Sequence, residues 1–155
     1  MRSNYTDAQE KAKHYAFLLL KFRLRSEYEL YQRLKKKKFA DSVIKQVLLF
    51  LKQRGFIDDS AFASAWIRGR ISRPLGLRRL KQELRAKGID KEIIEDQFEQ
   101  LKNSYSEKTV VNELAAKKME KLKEVDSLKA KRRIYAFLLR RGFSPDLAME
   151  AVNRL

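Results

Sequence analysis

The chain has no cysteine, one histidine, two prolines and five glycines among its 155 residues. Without cysteine there is neither a disulfide framework nor a thiolate metal site. His14 has no second histidine with which to share a metal, so neither a ligand nor a catalytic role is expected of it. No glycine-rich phosphate cradle and no Ser–His or Cys–His arrangement is present. The sequence therefore offers no catalytic set and calls for no cofactor. Period-2 alternation of apolar and polar residues is also missing, which leaves little strand signal and makes an all-α fold the expectation. The N-terminal stretch MRSNYTDAQEKAKHY lacks the apolar core of a secretory signal. The longest apolar run, residues 15–20, is far short of the roughly 20 residues that span a bilayer. A cytoplasmic protein without a membrane segment is expected.

What the chain does have is an internal repeat. In residues 75–101 a basic helix carries Leu80 and Leu84 one turn apart and ends at Lys87-Gly88. Ile89 follows as an apolar anchor, Asp90 stands where it can cap the next helix, and Ile93, Ile94, Phe98 and Leu101 recur at helical spacing. Subtracting 50 from these seven apolar positions gives Leu30, Leu34, Phe39, Val43, Ile44, Leu48 and Leu51. Adding 54 gives Ile134, Leu138, Phe143, Leu147, Ala148, Val152 and Leu155. All fourteen shifted positions are apolar in a chain that is 44% hydrophobic, so chance is a poor explanation. A helix precedes each copy, over about 7–23, 59–71 and 106–124. The pattern predicts three tandem three-helix repeats, over 1–54, 55–104 and 105–155, stacked into an elongated, curved helical array. Gly88 maps onto Gly142 but also onto Lys38. Because a lysine in left-handed geometry costs on the order of 1 kcal/mol, the first copy is expected to end its helix differently.

The second positive feature is charge. Thirty-six Lys and Arg against twenty Asp and Glu give a net +16. An excess of this size favours a polyanionic partner, since each neutralised phosphate releases condensed counterions. Residues 1–54 carry +9, 55–104 carry +2 and 105–155 carry +5. The middle repeat is nearly neutral yet dipolar: from Arg68 to Lys87 there are eight basic residues and one acid, Glu83, whereas Asp90, Glu92, Glu95, Asp96 and Glu99 follow with Lys91 alone. The candidate contacts to nucleic acid or its protein assembly are Lys35, Lys36, Lys37 and Lys38; Arg68, Arg70, Arg73, Arg78, Arg79, Arg85 and Lys87; and Lys131, Arg132, Arg133, Arg140 and Arg141. Arg23 and Arg25 join them from the first interhelical joint, where they either anchor the turn through carboxylates such as Glu27 or face phosphate.

Other residues read as structure. Ala12, Tyr15, Ala16, Leu19 and Phe22 form one face of the first helix. Ser26 with Glu29 three residues on is a capping box. Asp58 and Asp59 at a helix start suit capping better than acid–base or Mg²⁺ chemistry, because no third ligand stands nearby. Phe62 and Trp66, one turn apart, are expected in the core rather than stacked on a base.

The segments RLRSEYEL (23–30), GFIDDSAFASAWIRGR (55–70) and GLRRLKQELRAKGI (76–89) resemble the signature stretches of the RecX family, bacterial regulators of the RecA recombinase. The resemblance covers most of the chain, and Lys38 departs from it where glycine is expected. It implies a curved three-repeat helical protein with a basic concave surface. It also implies binding in the groove of the RecA filament on single-stranded DNA, contacting adjacent protomers, and suppression of ATP hydrolysis, strand exchange and coprotease activity; the chain itself is expected to be a monomer. The alternative is a general basic nucleic-acid binder or helix-turn-helix regulator with a helix such as 76–87 in the major groove.

Overall fold

Nine α-helices and no strand occur among residues 6–155, the part of the chain that the computed structural model describes. Residues 1–5, the start of the first expected repeat and of the N-terminal stretch searched for a signal, lie outside the described residues. The first unit comprises α1 (Asp7–Phe22), α2 (Glu27–Lys36) and α3 (Asp41–Gln53). The second comprises α4 (Asp59–Ile71), α5 (Leu77–Ala86) and α6 (Lys91–Leu101), and the third α7 (Glu107–Glu120), α8 (Ser127–Arg140) and α9 (Pro145–Asn153).

Side-chain caps start most of the helices. Ser26 Oγ accepts the Glu29 N–H while Glu29 returns a carboxylate to the Ser26 N–H, completing the expected capping box. Asp58 caps α4 through the Ala61 N–H, and Ser144 caps α9 with Pro145 at its first position. Asp90 sits at the N-cap of α6, but its carboxylate makes no capping bond.

The three middle helices end alike. After α2, α5 and α8 the amides of Phe39, Ile89 and Phe143 bond back to Leu34, Leu84 and Leu138 at 3.3, 3.1 and 3.2 Å. The residue before each amide has positive φ: 74° at Gly88, 90° at Gly142 and 65° at Lys38. The expectation that the first copy ends differently is thus overturned.

Each unit closes its own core. Ala12, Ala16, Leu30, Leu34, Ile44, Val47 and Leu51 pack in the first, joined by Ile57. Phe62, Ala63, Leu80, Leu84, Ile94 and Phe98 pack in the second, with Tyr105 against them, and Val111, Ala115, Ile134, Leu138, Phe143 and Val152 in the third. Phe22 does not join its core: at the last residue of α1 it is 78% exposed. The chain exposes 10551 Å², against about 8,100 Å² for a compact monomer of its mass. That excess is what an array of three small cores predicts.

The units meet at joints with one design. At the first, the Ser26 hydroxyl donates to the Lys87 carbonyl at 2.6 Å, and the Glu27 N–H donates to Asp59 at 2.9 Å. At the second, the Gly76 N–H donates to the Arg141 carbonyl at 2.9 Å and the Leu77 N–H donates to Glu107 at 2.9 Å. α2 and α5 therefore each begin against the end of the next unit's middle helix, a hydroxyl at the start of α2 and an amide at the start of α5 facing a carbonyl, with an acid from the next unit's first helix as an extra cap. Tyr105 adds a bond from its hydroxyl to the Leu75 carbonyl at 2.6 Å.

Candidate nucleic-acid interface

The joints decide which of the expected cations are free. Arg23 forks onto Glu29 with bonds of 3.0 and 2.9 Å, and Lys87 reaches the same carboxylate at 2.8 Å from the second unit. Burial on its own pushes Glu29 up, but the bonds from Arg23, Lys87 and the Ser26 N–H outweigh it and bring the carboxyl down to about 2. Of the two alternatives for Arg23, anchoring holds, through Glu29 rather than Glu27, which pairs with Lys52. Arg25 donates through Nε to the Leu19 carbonyl at 3.3 Å.

The Lys87 ammonium also lies 4.9 Å over the Trp66 ring. Trp66 is half-buried, stacks on Phe62 with centroids 5.9 Å apart, and donates through Nε1 to Glu83 at 3.0 Å. Arg70 grips Glu83 with two bonds of 3.0 and 2.7 Å; Arg79 adds one at 3.3 Å and another to the Arg140 carbonyl at 3.2 Å. Burial pushes Glu83 up as well, and its partners Arg70, Trp66 and Arg79 bring it below the ordinary carboxylate value. One polar strip thus runs from Arg23 through Glu29, Lys87, Trp66, Glu83, Arg70 and Arg79 to Arg140, touching all three units. Trp66 belongs to this strip as much as to the core.

Elsewhere, Lys35 pairs with Asp41 at 2.9 Å, while Lys37 lies over the Tyr15 ring and Arg141 over Phe137. Lys36, Lys38, Arg68, Arg73, Arg78, Arg85, Lys131, Arg132, Arg133 and Arg140 have no carboxylate partner among the described residues. Arg78 and Arg85, seven residues apart, share an exposed face of α5, as Arg133 and Arg140 do on α8. Lys131 and Arg132 point around α8 from that pair and are not gathered with it.

His14 is exposed, and no group of acids and histidine that could hold a metal occurs among the described residues. No helix among them is long and apolar enough to cross a membrane.

Family models place the chain. The model described as RecX, first three-helix domain, matches residues 12–56; the second three-helix domain matches 58–96 and the third 107–152. The chain belongs to the RecX family. Regulatory protein RecX of Amycolatopsis mediterranei is 33% identical over 93% of this chain and 82% of its own length. That of Mycolicibacterium smegmatis is 34% identical over 94% and 79%. A crystal structure of RecX from Lactobacillus salivarius superposes with a TM-score of 0.83 over 96% of this chain and 97% of that one, at 23% identity, and shares the fold.

In this RecX chain the residues that organise the strip are largely acids. Glu29 and Glu83 were not expected there, and neither were the caps that Asp59 and Glu107 provide across the joints. Aligning the copies puts Arg33 and Phe137 at the position of Glu83, a difference visible in the sequence and the one signal that singles out this acid.

Proposed function

We propose that the chain regulates the RecA recombinase as an inhibitor. It lies as a monomer along the groove of the RecA filament on single-stranded DNA, contacts adjacent protomers, and suppresses ATP hydrolysis, strand exchange and coprotease activity. Its units divide near 54/55 and 104/105, it acts in the cytoplasm, and it carries no catalytic activity of its own. The observation that supports this best is the open three-unit array with a polar strip crossing both joints and exposed arginines that no acid compensates. Such an array follows a helical groove over a length that one globule of 155 residues does not reach. The acidic α6 faces basic protein loops while the arginines face the polyanion. Inhibition follows from tighter binding to one arrangement of neighbouring protomers than to the other.

The test is RecA ATPase on single-stranded DNA, titrated with the wild type and with Arg68→Glu/Arg78→Glu/Arg85→Glu, which spares the Glu83 network. The wild type inhibits and the variant is at least tenfold weaker. Absence of inhibition by the wild type contradicts the function, and equal inhibition by both contradicts the surface.

A further inference from the structure

The second unit holds an anion of its own, and the third unit repeats its surroundings without one. Adding 54 to Arg79 and Glu83 gives Arg133 and Phe137. The first helices of the two units correspond by adding 48, which carries the joint acid Asp59 to Glu107 and buried Ala63 and Ile67 to buried Val111 and Ala115. The same step carries Arg70 to Lys118. The two cations that grip Glu83 are thus kept as Lys118 and Arg133, and the acid between them has become a phenyl ring.

The fold brings these residues together again. Lys118, Arg133 and Arg140 line one open cleft of about 350 Å³ with Leu122, Ala136 and Phe137. Lys118 Nζ lies 4.8 Å over the Phe137 ring, so the aromatic that replaced the acid now supports a cation. No acid lines the cleft, and the ion pairs of the third unit engage Lys108 and Arg154 with Glu150 instead. Three converging cations without a counter-charge repel one another, a cost that a bound anion removes.

We propose that this cleft seats a phosphodiester group of single-stranded nucleic acid between Lys118, Arg133 and Arg140. The cleft is open and its cations face no acid, whereas in the second unit Arg70 and Arg79 are already bonded to the Glu83 carboxylate. The wall of the cleft continues through Arg140 into a neighbouring cleft of about 390 Å³ lined also by Gln82 and by Arg79, the latter bonded to Glu83 on the same wall. A polymer leaving the first cleft meets the Gln82 amide there, which a single acidic side chain seated in the first cleft does not reach. The inference rests on the polyanion part of the function proposed above, and not on RecA.

The test is binding of fluorescein-labelled oligothymidylate to the full chain across a salt series. Phe137→Glu installs the second unit's own arrangement and fills the slot from within. Arg133→Ala/Arg140→Ala removes two contacts at exposed positions and carries the test if Phe137→Glu unfolds the unit. Each weakens binding at least tenfold, and the double variant lowers the salt slope by about 1.4, at about 0.7 per phosphate contact. A control, Lys11→Ala/Lys102→Ala, loses the same charge from other surfaces and weakens binding less than threefold. Equal losses in control and cleft variants overturn the site. So does competition in which a polyglutamate peptide displaces the oligonucleotide from the wild type but not from the cleft variants, since that makes it a protein site. The RecA ATPase assay separates the two proposals. A wild type that binds oligothymidylate through the cleft but leaves the ATPase untouched overturns the regulator function alone. Cleft variants that bind as the wild type does overturn the site alone if inhibition persists.

Discussion

Lys38, Gly88 and Gly142 hold the same left-handed turn after the three middle helices, but they face different surroundings. A Cβ added at Gly88 would overlap the Tyr28 side chain of the preceding unit, and one at Gly142 would overlap Arg79. Gly55, also at positive φ, has nothing within 4 Å of an added Cβ. Position 38 belongs to the first unit, where the Lys38 side chain is exposed. There a side chain costs only its backbone conformation, and this is why lysine stands where glycine is otherwise needed. Three chemical-denaturation measurements check the argument. Lys38→Gly stabilises by about 1 kcal/mol, Gly55→Ala costs about 1 kcal/mol, and Gly88→Ala costs roughly 2–4 kcal/mol because strain and overlap add. The turn itself was legible from the aligned copies. The reason for its exception was not, because the side chains that press on Gly88 and Gly142 come from distant positions, Tyr28 and Arg79.

Between units, stability rests on a few polar groups whose signs of response to pH differ. The Glu29 carboxyl stands at about 2 in the fold and near its ordinary value when unfolded, so its contribution is complete above that ordinary value and is lost as pH falls toward 2. Asp59 and Glu107 are both pushed up, chiefly by burial, so acidification through the ordinary carboxylate range favours their folded forms before Glu29 fails. Glu29→Gln therefore costs roughly 1–3 kcal/mol at pH 7 in urea unfolding, and the difference from wild type shrinks toward zero near pH 2. A difference that is unchanged by pH contradicts the ionic role of the joint. Helix starts, the capping box and the three cores were all legible, since they depend on neighbours in sequence. Asp59 was read as a cap and is one, but for Glu27, thirty-two residues away and in the preceding unit. Which amide a cap serves across a joint is not written in its neighbours in sequence.

Over the whole molecule the net charge of +16 indicates the class of partner and conceals how it is distributed. Arg23, Arg70, Arg79 and Lys87 look like exposed cations in the sequence, yet they are tied to Glu29 and Glu83 and hold the units in line. The charge left for a partner lies on exposed cations such as Arg68, Arg78 and Arg85 in the second unit and Arg133 and Arg140 in the third. This division into structural and available cations was the part the sequence could not supply, because it depends on which acids the fold delivers to which arginines. The central claim is that the array recognises a nucleoprotein filament rather than either component alone. The direct measurement is fluorescence anisotropy of the labelled chain with RecA-coated single-stranded DNA, with free RecA and with bare single-stranded DNA at one salt concentration. Binding to the filament at least tenfold tighter than to either component, and weakened by Arg68→Glu/Arg78→Glu/Arg85→Glu, is the predicted result; affinity for the filament no greater than for bare DNA would contradict it.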